Sequence, residues 1–171
     1  AGSSAASDVY KRQQLFLLRH AKSSWASNHL SDFDRPLNNR GRRNAMDLGE
    51  SFFEKKLKID HVLCSPSART KETFDIIQSI SNFASHHKFI DSIYHSSVGN
   101  LIEILSQINL ETASVMIVGH NPSMHLMTEL LANQTIDKFP TCTLAQIKIV
   151  DSWDKLRKHQ NKLINFKKPK K

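Results

Sequence analysis

The stretch "LFLLRHAKSSW", residues 15–25, decides how this chain is read. Four apolar residues run straight into Arg19 and His20, and then into a basic, hydroxyl-rich turn. An unbroken apolar run of that length suits a strand buried on both faces, as in a parallel sheet covered by helices. The polar burst then falls at the strand's carboxyl end, where open α/β sheets bind their ligands. The same residues also fit a capped strand with a solvated basic turn, so the rest of the chain has to choose.

At 171 residues the chain has room for one domain with a real core and not for two. With 39% hydrophobic and 23% charged residues it has the composition of a soluble globular protein. No apolar run approaches the ~20 residues of a membrane-spanning helix, so no membrane association is expected. The opening "AGSSAASDVYKRQ", residues 1–13, has no apolar centre and reads as an expression scar or loose arm rather than a signal peptide. A single domain over residues 14–171 is expected.

Cys64 and Cys142 have neither the number nor the spacing of a disulfide framework, which points to a reducing cytoplasm. Much of the net charge of +8 sits in the tail "KKPKK" and in Lys155, Arg157, Lys158 and Lys162. Such runs are usually solvated, and no nucleic-acid partner is expected from them. A positive field also draws in phosphorylated substrates. A monomer is expected.

Beyond the first strand, "SDFDRPLNNRGRRNA" turns from loop into helix, with Asn38 as the N-cap. Met46, Gly49, Phe53 and Leu57, with Ala45, Leu48 and Phe52 beside them, keep to helical spacing. "HVLCS", residues 61–65, is a short second strand, and Pro66 and Ser67 open a helix with Phe74, Ile77 and Ile80 on one side. "KFIDSIY", residues 88–94, offers a third strand, and Leu101, Ile102, Leu105 and Ile108 mark a third helix. "SVMIVGHNPS" repeats the opening design, with Ser123 as a cap and Met124, Met127 and Leu131 as a buried stripe. "LAQIKIV" alternates like an edge strand, and "KLINFKK" adds a partner across a turn near Trp153. The alternation of strand and helix predicts a three-layer α/β/α domain with a mostly parallel central sheet.

Three strand ends carry the same cargo: Arg19 and His20 after the first, Arg69 just inside the helix after the second, and His120 after the fourth. If these strands are neighbours, two arginines and two histidines meet in one crevice. Arginine forks suit phosphoryl oxygens, and helix amino termini near Ser67 and Ser123 would add aligned N–H groups. An imidazole nitrogen can take phosphorus covalently, dividing one hard transfer into two easier ones.

"LLRHAKSSW", "DFDRPLNNRGRRNA", "VLCSPSARTKET" and "VGHNPS", in that order, resemble the signatures of the histidine phosphatase superfamily, branch 1, whose fold is that of phosphoglycerate mutase. Within it they are most similar to the small SixA-type phosphohistidine phosphatases. The match runs from about Leu15 to the chain end, where Trp153 and "NFKKPK" also fit. The resemblance implies His20 as the nucleophile that becomes phosphorylated, Arg19, Arg69 and His120 as phosphoryl ligands, and no metal or organic cofactor. Lys22, Ser23, Asp34, Arg35 and Asn121 are the substrate-binding candidates around them. Nearby guanidinium groups are expected to hold His20 below the ~6.5 of free imidazole, and so neutral for attack.

Larger members of that superfamily carry a glutamate acid after the third strand, where this chain has "IYHSSVGN" and no carboxylate. His95, Asp32 or Asp34 could stand in for it. A positioned acid is worth ~10²–10⁴ in rate, so its absence should restrict the substrate. A leaving imidazole with a conjugate-acid pKa of ~6.5 needs little help, whereas an alkyl alcohol needs much. The expected partner is therefore a protein carrying phosphohistidine, with a small phosphate ester as the alternative.

Rival readings remain. Cys64 to Arg69 is one residue short of the Cys-x5-Arg spacing of a cysteine phosphatase, and "HAKSS" lacks the glycines of a nucleotide-binding loop. His61 and Cys64 face opposite sides of a strand and His120 and His125 miss the i, i+4 spacing, so no metal site is expected. A non-catalytic binder of phosphate or polyanions would use the same Arg19, Arg69 and His120.

Overall fold

The computed structural model describes residues 13–170. β1 (Gln14–Arg19) leads through a long loop, with a 3-10 turn at Asp32–Asp34, into α1 (Asn39–Glu54). Then follow β2 (Ile59–Cys64), α2 (Ala68–Ser81), β3 (Ala84–Phe89), α3 (Val98–Ser106), β4 (Ser114–Gly119) and α4 (Ser123–Leu131). β5 (Leu144–Lys148) and β6 (Lys162–Lys167) close the chain. The strand order is β3-β2-β4-β1-β5-β6. The first four are parallel, and β5 and β6 are antiparallel additions. The three-layer, mostly parallel architecture is the one expected.

Period-two alternation along the buried strands divides the core. Phe16 and Leu18, with Val62, Met116 and Val118, pack under Ala45, Leu48 and Phe52 of α1 and Phe74 and Ile77 of α2. Leu15 and Leu17, with Val115 and Ile117, face Leu101 and Leu105 of α3, Met124 and Met127 of α4, and Trp153. Both faces of β1 are therefore covered, which is why its buried stretch Leu15–Leu18 is uniformly apolar. α1 follows β1 on one side of the sheet and α4 follows β4 on the other, so a crevice opens between these neighbours at their carboxyl ends.

Several local expectations need correction. Asn38 caps α1 as read, its side chain accepting from Gly41 N at 2.8 Å. Met46 and Phe53, however, are exposed, and the inward stripe is Gly41, Ala45, Leu48, Gly49 and Phe52. Close approach of α1 to α2 at Gly49, where a Cβ would sit 3.1 Å from Ile80 Cβ, sets that rotation. β3 begins at Ala84, not Lys88, and Asp91–Ile93 is a 3-10 turn. Its residues after Ala84 are exposed on the sheet edge, so no apolar pattern marks it. β5 is an inner strand, because β6 pairs along its outer side. Ser123 lies inside α4 rather than capping it, and its hydroxyl donates to His120 O at 2.8 Å.

Gln13 is fully buried and its amide donates to Leu110 O at 3.0 Å, so it belongs to the folded body. The remaining residues of the proposed arm lie outside those described. Among the described residues no helix is long and apolar enough to cross a membrane.

Candidate active site

Sheet register brings the two histidines together. Arg19 of β1 pairs with Gly119 of β4, so His20 and His120 each stand one residue past a matched position. Their ring centroids are 5.3 Å apart. Cys64 of β2 pairs with Val118, which brings Ser65 alongside, and Ser65 Oγ lies 2.8 Å from His120 Nε2. Arg69 enters from the first turn of α2.

His20 is buried, and its Nδ1 lies 2.7 Å from the carbonyl of Ala21. A carbonyl can only accept, so Nδ1 carries the hydrogen and Nε2 keeps its lone pair. That lone pair faces Arg69, whose Nε donates to it over a long 3.4 Å. Burial, reinforced by His120, Arg69 and Arg19, lowers the His20 pKa to about 3 against a weaker opposing pull from the Ala21 carbonyl. Desolvation is thus the main reason this imidazole stays neutral, ahead of the arginine charges invoked from the sequence. His120 falls to about 4 for the same leading reason, with Arg69 and His95 adding to it and Asp32 opposing. Arg69 reaches His120 Nδ1 at 3.5 Å, which leaves the His120 Nε2 hydrogen for Ser65.

Arg69 is itself held by Asp32, donating to the Asp32 carbonyl at 2.7 Å and to Oδ2 at 3.1 Å. Tyr94 donates its hydroxyl to the same Oδ2 at 2.6 Å, and Arg35 grips Oδ1 with two nitrogens. The Tyr94 bond first, then Arg69 and Arg35, keep the Asp32 carboxyl far below the usual carboxylate range. A carboxylate so held cannot serve as a proton donor. Asp34 is exposed, accepts the Ser31 hydroxyl at 2.9 Å and does not line the crevice. His95 is also exposed, its ring lying 3.9 Å from that of Tyr94.

Across the crevice, Arg19 Nη1 and Asn121 Nδ2 both donate to the Phe139 carbonyl, at 3.1 and 2.8 Å. Burial, reinforced by repulsion from Arg69, lowers the Arg19 pKa. A dianion between them would relieve both charges. The basin is shallow, about 220 Å³, and its walls include Arg19, His20, Arg69, His120 and Asn121. Lys22, Ser23, Trp25, Arg35 and Thr141 complete the lining, so among the described residues no carboxylate lines it. Ser23 is buried and accepts from Arg35 at 2.9 Å, which makes it a support for the arginine. Ser67 and Ser123 are both buried and do not line the basin.

Sequence reading missed Ser65, Tyr94, Trp25 and the Phe139 carbonyl. Ser65 carried a usable signal, being the first polar residue after a buried strand. Cys64 is buried, with its thiol pKa pushed well above the usual range by desolvation, which suits a core residue and not a nucleophile. Among the described residues no group of three or more His, Cys, Asp or Glu side chains could hold a metal ion.

Comparison with known proteins points one way. Residues 15–86 match the family model described as histidine phosphatase superfamily (branch 1). An uncharacterised chloroplastic protein of Arabidopsis thaliana is 30% identical over 83% of this chain and 69% of its own length. The phosphohistidine phosphatase SixA of Escherichia coli is 26% identical over 81% of this chain and 87% of its own. A crystal structure from Agrobacterium tumefaciens, assigned as a SixA phosphohistidine phosphatase, superposes with a TM-score of 0.79 at 29% identity. It covers 92% of this chain and 98% of that one. Motif order along the chain, the sheet that gathers those motifs and these kinships agree: the chain belongs to the histidine phosphatase superfamily, branch 1.

Proposed function

We propose that this protein is a phosphatase that works through a phosphorylated His20, and that its preferred substrate is phosphohistidine on a protein partner. The observation that carries the reading is the bond from His20 Nδ1 to the Ala21 carbonyl, which leaves Nε2 unprotonated beside Arg69 and Arg19. In the first step Nε2 forms a bond to phosphorus while the bond to the leaving nitrogen breaks, and solvent protonates the departing imidazole. In the second, water attacks phosphorus, inorganic phosphate leaves and His20 is restored. Arg19 and Arg69 meet the charge on the equatorial oxygens, and His120, whose Nδ1 faces Arg69 while Nε2 is held by Ser65, adds a donor when the arriving dianion draws a proton onto Nδ1.

The lining supports the substrate class. Among the described residues no carboxylate lines the basin, and Asp32 is locked in its ionised form, so a leaving group that needs a strong proton donor is poorly served. An imidazole is well served. A basin of about 220 Å³ suits a side chain protruding from a partner more than a small molecule to be engulfed. The buried free thiols of Cys64 and Cys142 support a reducing compartment.

Incubation with a phosphohistidine peptide followed by mass spectrometry should find an acid-labile phosphate on His20, absent in His20→Ala. That variant should lose at least ~10³-fold in kcat. Side-by-side turnover should favour phosphohistidine over alkyl phosphomonoesters. The reverse order would make this a small-molecule phosphomonoesterase, and an unchanged ligand would make it a binding module.

A further inference from the structure

We propose that Asp32 and Tyr94 form a positioning pair that holds the Arg69 guanidinium against His20 and His120, so that the long loop after β1 sets the geometry of the phosphoryl basin. The contacts form one chain. Tyr94 Oη reaches Asp32 Oδ2 at 2.6 Å, and Asp32 takes Arg69 through both its carboxylate and its main-chain carbonyl. Arg69 in turn reaches His20 at 3.4 Å and His120 at 3.5 Å.

Each link adds a constraint the others lack. Two acceptors on one residue fix the plane of the guanidinium as well as its place. Tyr94 is fixed by ring packing, edge-on to Phe33 at 5.0 Å and to His120 at 5.5 Å. Arg35 ties Asp32 back to Ser23 at the end of the β1 turn. The pair comes from two segments, the loop before α1 and the turn after β3, and neither side chain lines the basin. They act on phosphorus only through Arg69.

This inference rests on the basin being a phosphoryl site, and its test is separable from the choice of natural substrate. An activated aryl phosphate reports turnover, and inorganic tungstate, followed by calorimetry, reports basin integrity. Misplacing a charged fork by about 1 Å costs on the order of 10²-fold. Asp32→Asn should therefore lose ~10–100-fold in kcat with KM and tungstate affinity within ~3-fold, since Arg69 keeps its charge. Tyr94→Phe, which retains the ring, should lose less. Because the two act in series, the double variant should be no worse than Asp32→Asn alone.

A second readout is the His120 ring, which faces Arg69, His95, Asp32, Arg19 and His20. Asp32 is the group among these that raises its pKa, so Asp32→Asn should move the His120 NMR titration to lower pH. Glu103→Gln, on the far helix α3, serves as a control. Full kcat in folded Asp32→Asn, independent losses in the double variant, or an unmoved His120 titration would overturn the proposal. Weak tungstate binding by the parent protein would instead overturn the phosphoryl basin itself.

Discussion

Arg69 points its Nε at His20 Nε2 across 3.4 Å, so the charge that would receive a phosphate also guards the nitrogen that would attack it. The bond is long and easily exchanged for phosphorus, while the same guanidinium stays anchored on Asp32 at 2.7 and 3.1 Å. A lysine has one point charge and cannot hold both ends. Arg69→Lys is expected to lose ~10² or more in kcat while the fold survives, as measured by steady-state turnover beside a thermal melt.

The depressed histidines set a pH dependence. His20 at about 3 and His120 at about 4 stay neutral far below the ~6.5 of an exposed imidazole. The acid limb of kcat/KM, which reports the free enzyme, should lie well below pH 6 with a substrate that does not itself titrate there.

Stability follows from the same shifts. Between about pH 6.5 and pH 3 to 4 the unfolded chain binds protons at these rings that the folded chain refuses, so unfolding free energy rises with pH across that window. Asp32, held down by Tyr94 and two arginines, acts in the same direction at lower pH. Urea unfolding is expected to weaken steadily from pH 6.5 downward. In His20→Ala the slope over that window should be shallower.

Gly41 marks the closest approach of α1 to the turn after β1. A Cβ there would collide with Lys22 O and stand 2.9 Å from Lys22 N, both main-chain atoms with no room to yield. The Lys22 carbonyl also accepts from Asn38 N at the start of that helix. Gly41→Ala is expected to cost ~1–3 kcal/mol or more in chemical denaturation. Activity should fall with it, because Lys22 lies two residues from His20.

Cys64 offers a contrast. Its thiol is buried and its pKa is raised by desolvation, so it stays protonated near neutral pH. Iodoacetamide should leave the native protein active, and Cys64→Ala should keep turnover within ~3-fold while losing about 1–2 kcal/mol for the cavity. Inactivation by alkylation of Cys64 would revive the cysteine phosphatase reading.

By itself, the sequence determined the buried strands and what ends them. Leu15–Leu18 and Val115–Val118 are apolar on both faces and stop at Arg-His and Gly-His, because only covered parallel strands tolerate that pattern and polar groups must emerge where it ends. Asn38 was legible as a cap for the same local reason. The exposed strand Ala84–Phe89 was not, since an edge strand need not repeat an apolar face. Tertiary structure alone decided that Arg19 stands opposite Gly119, which sets two histidines a hundred residues apart side by side. It also decided that Asp32 and Tyr94, sixty-two residues apart, are joined by a hydrogen bond, with Arg69 between them and the histidines. Such meetings depend on strand order and register, which the summed packing of both cores fixes and no local window of residues encodes.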